Sequence, residues 1–148
     1  MAVYFLDTSA AVKRYVLEPG SAWTRNLADP AAGHFLYIAR ITDVEMTSAI
    51  ARRRQSTLTL AQAASALNRF RQDFAQQYRI VEITIPLQRQ ASQLANTHVL
   101  RAYDAVQLAA ALDIYQLDPS LTLVSADADL NAAATAEGLA VEDPNTHP

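Results

Sequence analysis

The chain has 148 residues, about half of them apolar, and a formal net charge of −3. That length suits one domain with a single core, and the mild acidity excludes a protein that gathers nucleic acid by overall charge. There is no cysteine, which excludes disulfides, thiolate zinc sites and a cysteine nucleophile. No apolar run is long enough to span a bilayer and no basic segment followed by an apolar stretch opens the chain, so a cytoplasmic protein with no membrane partner is expected.

In chain order, Val3 to Leu6 reads as a buried strand, followed by short helices over Ser9 to Val16 and Ser21 to Leu27. Phe35 to Ala39 is a second strand. Thr42 to Arg54 reads as a helix opened by Thr42. From Thr59 to Gln76 the apolar positions Leu60, Ala63, Ala64, Leu67, Phe70 and Phe74 recur at helical spacing, with Arg69, Arg71 and Asp73 facing away. Ile80 to Ile83 is a third strand. Pro86 sits in the first turn of the next helix, where proline is tolerated. Ala102 to Tyr115 is apolar nearly all round and predicts a buried helix. Leu121 to Ser125 is a fourth strand, Ala128 to Glu137 a helix stopped by Gly138, Leu139 to Glu142 a short last strand and Asp143 to Pro148 a polar tail. This alternation predicts an α/β fold of three layers, with a parallel sheet of four to five strands covered on both faces. The loops after the strands then share one edge.

Four acidic residues stand at such positions: Asp7, Glu45, Asp104 and Asp127. Each has a structural explanation. Asp7 and Asp127 are good helix N-caps, and Asp129 competes with Asp127 as the functional acid. Thr42-Asp43-Val44-Glu45 fits a capping box, with Glu45 reaching back to the backbone of Thr42. Asp104 is hardest to explain structurally, since it opens an apolar helix whose next turn, Gln107 and Leu108, offers no positive charge. Together the four would repel one another and raise each other's pKa values, a penalty that a divalent cation removes. Of the twelve basic residues, eleven are arginine. Arg52, Arg53 and Arg54 follow Glu45, and Lys13 and Arg14 follow Asp7. All are candidate phosphate contacts, with a solvated helix end as the equally simple reading. The three histidines are scattered, and Trp23 reads as a packing or interface residue.

The motifs Leu6-Asp7-Thr8-Ser9, Thr42-Asp43-Val44-Glu45, Tyr103-Asp104-Ala105-Val106-Gln107-Leu108-Ala109 and Val124-Ser125-Ala126-Asp127 resemble, in order and over almost the whole chain, the PIN-domain family. More narrowly they resemble the toxin ribonucleases of VapBC toxin–antitoxin operons. The resemblance implies a three-layer PIN-like domain and a catalytic quartet of Asp7, Glu45, Asp104 and Asp127. It implies Mg²⁺ or Mn²⁺ held by Asp7, Asp104 and Asp127, with Glu45 acting through water, and Thr8, Ser9 and Ser125 as supporting hydroxyls. It also implies a structured RNA substrate of tRNA or rRNA type, a VapB-like antitoxin and a homodimer. Two alternatives stand beside it. One is a non-catalytic PIN-type RNA-binding or interaction module. The other is a haloacid-dehalogenase-like phosphatase, which wants an aspartate where Ser9 stands and a lysine later than Lys13.

Overall fold

The computed structural model describes residues 1–148. Five strands form one all-parallel sheet: β1 (Val3–Leu6), β2 (Phe35–Ala39), β3 (Arg79–Val81), β4 (Thr122–Val124) and β5 (Ala140–Glu142), in the order β3-β2-β1-β4-β5. The helices are α1 (Thr8–Tyr15), α2 (Ser21–Ala28), α3 (Thr42–Arg53), α4 (Leu60–Gln76), α5 (Ile85–His98), α6 (Ala102–Leu117) and α7 (Ala128–Ala136), with short 3-10 turns at Pro30–Ala32 and Pro144–Thr146. The three-layer α/β/α arrangement is as the sequence predicts.

Alternation along each strand divides the core in two. Val3, Phe5, Leu121 and Leu123 pack on one face with residues of α5, α6 and α7. Leu6, Leu36, Ile38 and Val124 pack on the other with residues of α1 to α4. Fully burying a side chain such as Phe5 contributes about 1.5–3 kcal/mol. The α6 sequence Ala105 and Leu108 to Leu112 is buried throughout; its small residues let the helix lie close, as its all-round apolarity predicts.

β1 is the central strand. The chain runs outward from it to β2 and β3, then returns to build β4 and β5 on its other side. In open parallel sheets a crevice opens beyond the carboxyl ends at such a reversal. Here it lies where β1 and β4 release Asp7 and Ser125.

Several expectations change. α3 begins at Thr42 as expected, but Ile41 is its N-cap and no side chain caps it. Glu45 therefore falls at the fourth helical position, outside capping-box reach, and Thr42 lies inside the helix. The buried face of α4 is Ala63, Ala66 and Phe70, while Leu60 and Ala64 are exposed. Asp73, expected outward, accepts from Tyr15 Oη at 2.7 Å. The third strand is Arg79–Val81 and ends before Ile83. The polar tail is ordered: Pro144 is buried and Trp23 stacks on His147 with ring centroids 4.5 Å apart. No helix is long and apolar enough to cross a membrane.

Candidate active site

Asp7 ends β1 and caps α1, its Oδ2 accepting from the Ser9 backbone N–H at 3.3 Å. The same oxygen accepts from Ser9 Oγ at 2.6 Å and Ser125 Oγ at 3.3 Å. Ser9 Oγ in turn accepts from the Ala126 backbone N–H at 2.9 Å. Capping and site geometry therefore coexist, because every hydrogen bond falls on Oδ2 and Oδ1 takes none.

Glu45 projects from α3. Its Oε1 accepts from Thr8 Oγ1 at 3.1 Å and from Gln107 Nε2 at 2.7 Å, while Oε2 takes no hydrogen bond. The capping box expected with Thr42 is absent, and the Thr42 hydroxyl accepts from Gln107 instead. Asp104, in the first turn of α6, accepts no hydrogen bond. Its nearest cation is Arg101, Nε to Oδ2 3.9 Å, one turn before Asp104 on the side opposite Gln107 and Leu108. Asp127 caps α7 through Oδ1, which accepts from the Leu130 N–H at 3.0 Å. Its Oδ2 is free of hydrogen bonds. Asp129 is exposed and does not line the cleft, so Asp127 is the better placed of the two.

Glu45, Asp104 and Asp127 line one open cleft of about 310 Å³, together with Ile41, Val44, Ser48, Arg52, Arg101 and Tyr103. Asp7 lies buried beside it, at 3% exposure. The charges feel one another. Burial raises the Asp7 carboxyl to about 6, helped by Glu45 and opposed by the Ser9 hydrogen bonds. Burial also raises Asp104 to about 6, with Asp127 and Asp7 adding to it and Arg101 opposing. Glu45 is raised by burial and by Asp104, and held back by Gln107, Thr8 and Arg52.

This donor set suits a hard cation. It is all oxygen, it is anionic, and each carboxylate keeps an oxygen with no protein partner. No three histidine, aspartate or glutamate side chains lie close enough to enclose an ion by themselves. Mg²⁺ does not require that, since it takes one or two direct carboxylates and keeps several waters.

The basic residues divide. Arg52 lines the cleft and donates to Ser48 Oγ at 3.1 Å. Arg53 does not reach the cleft; it forms a two-pronged pair with Glu18 at 2.9 and 3.0 Å. Arg14 is committed to Tyr78, Gln77 and Asp73 on the far side of α1. Lys13 is buried and outside the cleft lining, and Arg54 is exposed and also outside it. Lys13, Arg14 and Arg53 thus stand away from the cleft lining, and Arg52 is the one of these candidates that reaches it. The histidines serve locally, His98 on Glu137, His147 on Glu142 and His34 on the Ala2 N–H.

Sequence reasoning assigned no role to Gln107, Arg101 or Tyr103. Gln107 is the one polar side chain between Ala105 and Leu112 on a buried helix. That is a detectable pattern, because a buried amide demands partners. Tyr103 is 59% exposed at the cleft mouth.

A family model described as PIN domain matches residues 4–136. Ribonuclease VapC45 and Ribonuclease VapC49, both from Mycobacterium tuberculosis, are each 34% identical over 142 residues, covering 95% of this chain and 95% of the relative. Among solved structures, VapBC2 from Rickettsia felis bound to a promoter DNA fragment matches with a TM-score of 0.64 at 17% identity, over 95% of this chain and 98% of that one. Mycobacterium tuberculosis VapC20, described as a sarcin–ricin loop cleaving toxin, matches with a TM-score of 0.64 at 16% identity, over 92% and 95%. The structural likenesses establish the fold, and the family model and the two ribonucleases establish kinship: the chain belongs to the PIN domain family and is of the VapC type.

Proposed function

We propose that the protein is a Mg²⁺- or Mn²⁺-dependent endoribonuclease, the toxin of a toxin–antitoxin pair, that hydrolyses phosphodiester bonds in structured RNA of tRNA or rRNA type. One observation carries the reading. Carboxylates from four separate elements, Asp7, Glu45, Asp104 and Asp127, gather at the reversal point of the sheet, where burial first, and neighbouring acids in addition, raise the carboxyls of Asp7, Glu45 and Asp104. The ribonuclease names of the 34% relatives support the chemistry, and the VapBC complexes among the fold neighbours support a VapB-like antitoxin as partner.

One or two of Asp7, Asp104 and Asp127 would hold the cation directly, with the remaining acid and Glu45 reaching it through water. A bound Mg²⁺ or Mn²⁺ lowers the pKa of water and offsets charge developing on the phosphate. Ser9 and Ser125 keep Asp7 Oδ2 occupied and so present Oδ1. Glu45 or Asp127, with a free oxygen each, orients the attacking water and accepts its proton. Arg52 holds a phosphate at the rim. A homodimer is part of this proposal, to be checked by light scattering.

The test uses purified protein, freed of any partner, incubated with total RNA with and without EDTA. Metal-dependent cleavage that is lost in Asp7→Asn is the expected result. Cleavage surviving both EDTA and Asp7→Asn overturns the metal mechanism, and a folded protein that binds RNA without ever cutting it establishes an interaction module instead.

A further inference from the structure

Gln107 is fully buried, at 0% exposure, in the apolar run of α6. Its Nε2 lies 2.7 Å from Glu45 Oε1, 3.1 Å from Thr42 Oγ1 and 3.3 Å from Thr8 Oγ1. An amide nitrogen has two protons, which go to Glu45 and to the nearer threonine, Thr42. The carboxylate decides which end of the amide is nitrogen, since the reversed amide would set two oxygens against each other. With that orientation, Gln107 Oε1 is buried with no partner, and its desolvation goes uncompensated. A leucine or methionine would fill the same space without it, so stability does not explain a glutamine here.

We propose that Gln107 is a positioning residue that fixes Glu45 for the reaction; this rests on reading the cleft as a nuclease site. Gln107 Nε2 and Thr8 Oγ1 both donate to Glu45 Oε1. One oxygen is thereby clamped, and Oε2 is left as the oxygen available in the cleft. Thr8 directly follows Asp7, so the clamp ties Glu45, on a separate helix, to the end of β1. The donor's neutrality matters as much as its geometry. A lysine or arginine at this place would cancel the Glu45 charge and compete with a cation. An amide orients the carboxylate and leaves its charge in place.

The test is a double-mutant cycle of Gln107→Met and Glu45→Gln, read as RNA cleavage in Mg²⁺. Gln107→Met should lower kcat about tenfold or more, the usual size for a partner that orients a ligand, with KM within about threefold. In the Glu45→Gln background it should cost less than about twofold further, because its route of action is already gone. An equal loss in both backgrounds, or none in the wild-type background, overturns the proposal. Should Gln107→Met fail to fold, Gln107→Asn takes its place: it keeps the amide but is one methylene too short to reach Glu45.

A second measurement needs no activity. In ¹⁵N-labelled, metal-free protein the Gln107 side-chain amide should exchange slowly, and its signals should move in Glu45→Gln. An amide that exchanges like surface glutamines, or ignores Glu45→Gln, overturns the clamp. If no variant and no wild-type preparation cuts RNA while the amide behaves as expected, it is the nuclease reading that has failed and the clamp that stands.

Discussion

Ser125 Oγ donates to Asp7 Oδ2 at 3.3 Å, so a hydroxyl released by β4 aims a carboxylate released by β1, across 118 residues of sequence. Partners that orient a ligating carboxylate typically cost 10–100-fold in metal affinity or activity when removed. Ser125→Ala should therefore weaken Mn²⁺ binding about tenfold, measured by titration calorimetry, in a protein whose circular dichroism is unchanged. Asp7→Asn should abolish cleavage outright while the protein stays folded.

The metal-free protein should lose stability as pH rises from about 4 to about 6. Burial first, then neighbouring acids, lift Asp7 and Asp104 from 3.8 to about 6. Between those values the folded protein holds protons that the unfolded chain has released, so stability falls with rising pH. The contribution is fully present below about 3.8 and gone above the folded pKa. Asparagine resembles the protonated form. Asp104→Asn in EDTA should melt near the wild type at pH 4.5 and higher than it at pH 7.5. Parallel melting curves at both pH values would count against the charge cluster.

Added cation should reverse that loss at neutral pH. A ligand bound only by the folded state stabilises by about 2.7 kcal/mol at 100 times its Kd. The thermal midpoint at pH 7.5 should climb with Mg²⁺ or Mn²⁺, fall again with EDTA, and stay flat in the double variant Asp7→Asn, Asp104→Asn.

Adjacent arginines should separate cleanly. Arg52→Ala should weaken RNA binding and reduce the slope of log affinity against log salt by about 0.7–0.9, one phosphate contact. Arg53→Ala should leave that slope alone and cost about 1 kcal/mol of stability through its partly buried pair with Glu18. Fluorescence anisotropy over a salt series and urea denaturation measure the two.

Gly20→Ala should destabilise by about 1–3 kcal/mol in urea melts. Gly20 has φ +84°, and a Cβ there would run into the Pro144 carbonyl.

How much of this was legible in the sequence follows from the range of the forces involved. Strand alternation and the small-residue run of α6 are local patterns, and they located every layer. The acids were legible because each follows a strand or opens a helix. Glu45 was assigned the wrong bond because a capping box is a local rule, whereas its partners Thr8 and Gln107 lie 37 and 62 residues away. That Lys13, Arg14 and Arg53 stand away from the cleft was hidden for a related reason. Proximity in sequence says nothing of which helix face a side chain occupies, and Glu18 and Asp73 claim Arg53 and Arg14 through tertiary contacts. Ser9 was legible only through the resemblance, which implies a supporting hydroxyl there; in the fold that hydroxyl donates to Asp7.

The terminal turn has a practical meaning for anyone handling the molecule. Pro144 packs on Gly20, and His147 stacks on Trp23 of α2, so the last residues act as a clasp across the helix that follows α1. A fusion attached after Pro148 would pull on that clasp. Met1, 90% exposed before β1, lies at the opposite end of the central strand from the cleft. Affinity handles belong there, where they leave both clasp and cleft untouched.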